Sequence, residues 1–348
     1  MSEFMITLRT ADDPDAIGPA RFLSFEGDSD VASELERDLW LARVIASFPP
    51  AAFGASGQLA RVGDILFLVH GFNVSHEAAK AFHLKCANAL ADAGWLGQLI
   101  SYDWPSDGLV FAYLPDRSNA RAAASALVTS GIALLEDAQQ RDCTINVHVL
   151  GHSMGCFVVQ QAFTWSYQDV PADWKVGQLL MAAADVDYTV FSGSNFSAEM
   201  FSQHAGRLTA YCNRYDKALL GSNAKRLDLA PRMGRVGLPA DAPPMMCEVD
   251  CSDLFDQAYP DVTQDLSPST THSFYFDQPE FWRDAVLTLA GGIDRSVIPT
   301  RTANGPNPLP NRFVLDPAGI ADNAFRIALA RSSTSPSFQF AQVGRTRS

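Results

Sequence analysis

The feature that most constrains this chain is a short turn, Gly151-His-Ser-Met-Gly155, set between two segments of different periodicity. Before it, Thr144-Ile-Asn-Val-His-Val-Leu150 alternates and is β-branched, which predicts a buried strand. After it, Cys156-Phe-Val-Val-Gln-Gln-Ala-Phe163 has helical spacing. The glycines of such a turn let the backbone bend sharply enough to strain the serine and lift its hydroxyl off the sheet. The helix start behind it offers N–H groups and the positive end of a dipole, which suit a developing oxyanion. G-x-S-x-G alone is a weak pattern in a chain with 23 glycines. Its strand–turn–helix setting makes Ser153 a candidate nucleophile.

The rest of the chain repeats the same alternation. Strands are predicted at Ile6–Leu8, Arg21–Phe25, Ile65–Val69, Leu99–Tyr102, Val176–Ala184, Arg207–Asn213 and Met245–Val249. Helices are predicted at Glu34–Ser47, Ser75–Ala93, Ser118–Arg141 and Pro279–Ala290. Ile65-Leu-Phe-Leu-Val69 is apolar throughout, as a strand covered on both faces must be. The expected fold class is therefore α/β, with a mostly parallel central sheet and helices on both faces. Three regions are expected: an N-terminal extension over 1–60 packed on the body, a main domain over 61–292, and a Pro/Arg-rich basic tail over 293–348. From Asp294 onward seven arginines face three aspartates, and the five prolines between Pro299 and Pro317, with Asn304-Gly305, predict that the first half of this tail is a linker or extended arm. Ala318–Arg331 reads as one short helix. Such a tail could lie on its own acidic body, dock a partner, or meet an anionic surface.

Composition excludes several function classes. A net charge of −13 argues against a nucleic-acid surface. No stretch approaches the roughly 20 apolar residues of a membrane span. Met1-Ser-Glu-Phe-Met-Ile-Thr-Leu-Arg-Thr10 lacks a basic segment followed by an apolar run, so no signal peptide is expected and the cytoplasm is the expected compartment. The six cysteines are scattered and read as reduced and buried, and Cys247 and Cys251 have no C-x-x-C partner that would suggest zinc.

A serine nucleophile needs a base, and the base needs an acid to orient it. In a sheet of this kind the expected chain order is Ser, then Asp or Glu, then His. Only His204 and His272 follow Ser153. His204 lies in a polar stretch expected to face solvent, whereas His272 lies in the loop Ser267–Phe274 before the last helix, where a base belongs. Three aspartates follow strands: Asp216 is favoured as the acid, Asp187 comes second, and Asp185 is the third. The oxyanion donors expected are the backbone N–H of Met154 and one from the loop His70-Gly-Phe-Asn73, from Phe72 or Asn73. His70 and His152 read as bracing residues.

Leu66-Phe-Leu-Val-His-Gly-Phe-Asn73, Tyr102-Asp-Trp-Pro-Ser106, Asp116-Arg117, the Gly-His-Ser-Met-Gly turn and Arg214-Tyr-Asp-Lys-Ala-Leu219 occur together. In combination they resemble the α/β-hydrolase family catalogued as domain of unknown function 900, bacterial serine hydrolases by sequence, related to lipases and esterases. The resemblance runs from about Ile65 to Leu289. It implies the α/β-hydrolase fold, with Ser153 as nucleophile, Asp216 as acid and His272 as base. It adds little about substrate.

Two segments are expected to shape the substrate site. Trp104–Pro115 carries Trp104, Phe111 and Tyr113; Tyr188–Gly206 carries Phe191, Phe196, Met200 and Phe201 and reads as a lid. The expected reaction is hydrolysis of a small-molecule or lipid-like carboxylic ester through an acyl-enzyme, with no metal or organic cofactor. The same machinery would serve a thioesterase, an amidase or a phospholipase. A non-catalytic binding or scaffold protein is the alternative of another class. Oligomeric state and pathway are not legible.

Overall fold

The structure is a computed structural model, which describes residues 2–27, 32–48, 50–53, 59–106, 113–137, 143–165, 174–226, 230–260, 266–306 and 309–334. Its strands are β1 (Ser2–Arg9), β2 (Ile17–Glu26), β3 (Ser33–Leu35), β4 (Pro50–Phe53), β5 (Leu59–Val69) and β6 (Gln98–Asp103). They continue with β7 (Cys143–His152), β8 (Val176–Ala182), β9 (Ala205–Cys212), β10 (Met246–Asp250), β11 (Arg301–Ala303) and β12 (Arg312–Leu315). All join one sheet of order β11-β12-β10-β9-β8-β7-β5-β6-β1-β2-β3, with β4 paired to β5. Every pairing from β12 to β1 is parallel. Antiparallel pairs occur at the two ends and where β4 meets β5. This is the mostly parallel, helix-covered sheet of an α/β-hydrolase fold.

The apolar run in β5 shows why the sheet must be covered twice. Ile65, Phe67 and Val69 enter one core, with residues of the helices Tyr113–Ala126 and Met154–Trp165. Leu66 and Leu68 enter the other, with residues of His76–Asp92 and Pro279–Ala290. Side chains alternate across a strand, so an all-apolar strand feeds two cores. Ser75 caps the helix His76–Asp92, its side chain accepting from Ala78 N–H at 3.2 Å. The helix Pro279–Ala290 has the boundaries its sequence predicts, with proline at its start and Gly291 in the left-handed conformation after its end.

Both ends of the chain join the main sheet. The N-terminal strands continue the main sheet, β1 lying parallel to β6. The stretch expected as an arm supplies β11 and β12 to the opposite edge, followed by the helix Asp322–Thr334. Three of its arginines bind into the body. Buried Arg301 donates to both carboxylate oxygens of buried Asp284 at 2.7 Å, and Thr300 and Tyr211 hydroxyls complete that carboxylate's shell. Arg312 lies 3.3 Å from Glu248, and Arg295 donates to the Met245 and Pro244 carbonyls. Short strands between prolines leave no periodicity to read, and a buried arginine looks like a surface one until its partner is seen.

Candidate active site

The site is built at the carboxyl edge of the parallel strands, where a doubly wound sheet leaves its loops free for ligands. Strand β7 runs into Ser153, whose φ is +55°, the left-handed region that costs a residue with a side chain of this kind about 1–2 kcal/mol. The turn is fixed on both sides. Ser153 N–H donates to the Ala182 carbonyl, and the Ser153 carbonyl accepts from Cys156 and Asp185 N–H groups, each at 3.1 Å. The helix Met154–Trp165 begins at the next residue.

Two glycines make the approach possible. A Cβ on Gly155 would stand 2.2 Å from the Val69 carbonyl oxygen, so only glycine lets the helix start press against the end of β5. A Cβ on Gly71 would stand 2.8 Å from the Cβ of Ser153, so the loop after β5 touches the serine itself. That loop presents Phe72 to the cleft. The N–H of Asn73 donates to the Ser106 carbonyl at 2.7 Å.

Strand β9 leads through Asn213 to buried Asp216. One carboxylate oxygen of Asp216 accepts from Leu219 N–H at 2.9 Å; the other accepts from Nδ1 of His272 at 2.6 Å. His272 sits in a short helix, Pro268–Ser273, and not in an open loop. Thr271, beside it, ties that helix to the Asp216 loop: its carbonyl accepts from Asn213 Nδ2 at 3.1 Å and its hydroxyl from Lys217 N–H at 3.0 Å. Burial works to lower the His272 pKa, and the Asp216 carboxylate overcomes it, holding the imidazole above the ordinary histidine value.

Ser153, His272, His152 and Phe72 line one cleft of about 610 Å³. His152 packs with its ring centroid 4.8 Å from that of His272, and its Nε2 lies 3.3 Å from the His272 carbonyl. Burial, with the charge of His272 adding to it, pushes His152 well below the usual histidine range. The cleft walls are otherwise largely apolar, with Phe82, Leu219 and Phe276, and carry Lys85, Lys217 and Asp185. Phe276 follows His272 by one helical turn and Phe82 lies on the helix His76–Asp92; neither carries a sequence signal apart from core aromatics.

Other expectations fall elsewhere. Trp104 does not line the cleft: it is fully buried, its ring stacked on His70 at 5.6 Å and its Nε1 donating to the His70 carbonyl at 3.0 Å. Phe111 lies outside the described residues, and Tyr113 opens the helix Tyr113–Ala126. The segment Tyr188–Gly206 is no free lid. Phe191 and Phe201 are fully buried and stacked at 5.6 Å, and Met200 is buried with them, leaving Phe196 partly exposed. His204 is buried against Trp174, with ring centroids 4.2 Å apart, and does not face solvent. Asp187 caps the turn Tyr188–Phe191 through Thr189, and Asp185 pairs with Arg232 at 3.4 Å. Of the three aspartates, Asp216 is the one hydrogen-bonded to His272, at 2.6 Å.

A left-handed serine at a helix start, a histidine paired with a buried carboxylate and a glycine loop against the serine thus lie at one edge of the sheet. The family model described as "Alpha/beta hydrolase of unknown function (DUF900)" matches residues 55–264, and the chain belongs to that family. Among solved structures, one described as the "putative cell surface hydrolase" from Lactobacillus plantarum WCFS1 is similar at 10% identity and a TM-score of 0.35. The match covers 78% of this chain and 98% of that one. Among curated proteins no relative matches the chain. Among the described residues no helix is long and apolar enough to cross a membrane.

Proposed function

We propose that the protein is a serine hydrolase of carboxylic esters. Ser153 attacks the ester carbonyl while Nε2 of His272 takes its proton, and Asp216 holds the imidazolium that results. The oxyanion is received by the N–H groups of Met154 and Phe72. The alcohol leaves with the proton from His272, and water repeats the cycle to release the acid. The observation that carries this reading is the 2.6 Å pair of Asp216 with His272 on the cleft that Ser153 also lines. A left-handed serine supports it, because strain of that kind persists where the surrounding fold imposes it. The apolar walls formed by Phe72, Phe82, Leu219 and Phe276 favour an acyl or aryl ester over a highly charged substrate.

The test is labelling of the purified protein with a fluorophosphonate probe, beside Ser153→Ala and His272→Ala, with a p-nitrophenyl ester series from acetate to palmitate run in parallel. Labelling and turnover that vanish in both variants are the expected result. A folded wild-type protein that neither labels nor hydrolyses any ester of the series would overturn the reading.

A further inference from the structure

The loop His70–Ser75 carries Phe72, and in the reading above its backbone must hold still while charge develops on the substrate. What holds it comes largely from outside it. Asp103, at the end of β6, is fully buried and gathers four partners. Its Oδ1 accepts from Arg9 Nε at 2.8 Å and contacts His70 Nε2 at 3.1 Å; its Oδ2 accepts from Thr7 Oγ1 at 2.8 Å and His76 Nδ1 at 2.7 Å. Arg9 then reaches past Asp103. Its Nη2 donates to the Val74 carbonyl at 2.5 Å and to the Trp104 carbonyl at 3.1 Å, while Nη1 donates to Pro14 at 2.9 Å. Trp104 lies on the other side of the same loop, bonded to the His70 carbonyl.

Arg9 is almost fully buried, and it closes β1, at the point where the pairing of β1 with β2 shifts register between Thr7 and Arg9. It therefore lies outside the segment that matches the family, residues 55–264. A guanidinium suits this place because its donors diverge in a rigid plane and can span a carboxylate and three carbonyls at once; a lysine ammonium is a point charge on a flexible stem.

We infer that Arg9 is a positioning residue for the hydrolytic site: through Asp103 and the Val74 carbonyl, the N-terminal strand holds the loop that presents the Phe72 N–H. The inference rests on the proposed function for its catalytic half and on the Arg9–Asp103–Val74 geometry for its positioning half. Oxyanion stabilisation depends on donors fixed in advance, and small misplacements of such groups cost as much as about 10²-fold in rate.

The test compares wild type with Arg9→Lys, which keeps the charge beside Asp103 and loses the fork. Amide hydrogen exchange of the 70–75 segment is expected to quicken at least about tenfold, with the β7 peptides unchanged. On a p-nitrophenyl ester, kcat is expected to fall roughly ten- to a hundredfold with KM nearly constant, and the rate of fluorophosphonate labelling to fall with it. A second variant, Arg9→Met with Asp103→Asn, removes both charges and serves if Arg9→Lys fails to fold. Unchanged exchange over 70–75 in the folded variant would overturn the inference, as would unchanged kcat in an active enzyme. If wild type is inert towards both probe and esters, the proposed function fails, and the exchange result still decides whether Arg9 holds the loop.

Discussion

The two oxygens of Asp216 hold different partners, and replacing this residue with asparagine separates their roles. Oδ1 accepts from Leu219 N–H, a donor fixed at the start of a helix, and Oδ2 from His272 Nδ1. Asparagine has one acceptor oxygen, and Leu219 claims it. The amide NH₂ then faces Nδ1, where two donors cannot meet, so the imidazole moves its proton to Nε2. That is the atom required to receive the Ser153 proton. The base is present but in the wrong tautomer, a change that costs about 10⁴-fold in kcat where the geometry stays intact. This corresponds to about 5.5 kcal/mol of barrier. The pH profile should move as well. Burial lowers the His272 pKa and Asp216 raises it above the ordinary value. In wild type, activity therefore appears only as pH rises through that raised pKa. In Asp216→Asn the burial effect is left without its main opponent, with only the charge of Asp185 still raising the pKa, so the residual activity should begin at lower pH. Steady-state ester hydrolysis from about pH 5 to pH 9 measures both effects, and the melting temperature checks that the near-isosteric variant is folded. A kcat within about tenfold of wild type, or an acid limb that does not move, would refute the pairing as the basis of catalysis.

Two further outcomes bear on the fold. Ser153→Gly should abolish ester turnover and be at least as stable as wild type, by up to about 1 kcal/mol, because glycine adopts the left-handed conformation without strain; chemical denaturation that shows a clear loss of stability would contradict the strain at +55°. Asp284→Ala leaves the Arg301 guanidinium buried without its carboxylate and should cost about 3–5 kcal/mol, a melting shift of roughly 4–7 °C for a chain of this length. Asp284→Leu with Arg301→Met should recover most of that loss, and a single variant that melts with wild type would show that the tail is not anchored there.

The sheet was legible because its strands are apolar on both faces and its helices carry their own signals, such as Ser75 and Pro279 at their starts. Ser153, Asp216 and His272 are legible as a candidate set because each follows a recognisable strand or precedes a recognisable helix in the expected order. What sequence reading lacked was the third dimension of side chains in loops. Trp104 looks like an aromatic on an exposed connection, yet its indole N–H has a carbonyl to meet and its ring a histidine to stack on. Phe191 and Phe201 look like a lid until their faces are seen to stack in the core. Asn213 and Thr271, which join the acid's loop to the base's helix, carry no pattern: the bond is between residues 58 apart. β11 and β12 are three and four residues long, too short for alternation to show.

The segment that matches the family stops at residue 264, eight positions before His272, and starts well after β1. Likeness and integrity therefore have different borders in this molecule. A fragment cut to the matched residues would keep Ser153 and Asp216 and lose His272, the partner of Asp216. It would also strip β1 from β6 and β12 from β10, turning two interior strands into raw edges with unpaired backbone, the usual template for aggregation. The least family-like stretches of this chain are the ones that close its sheet.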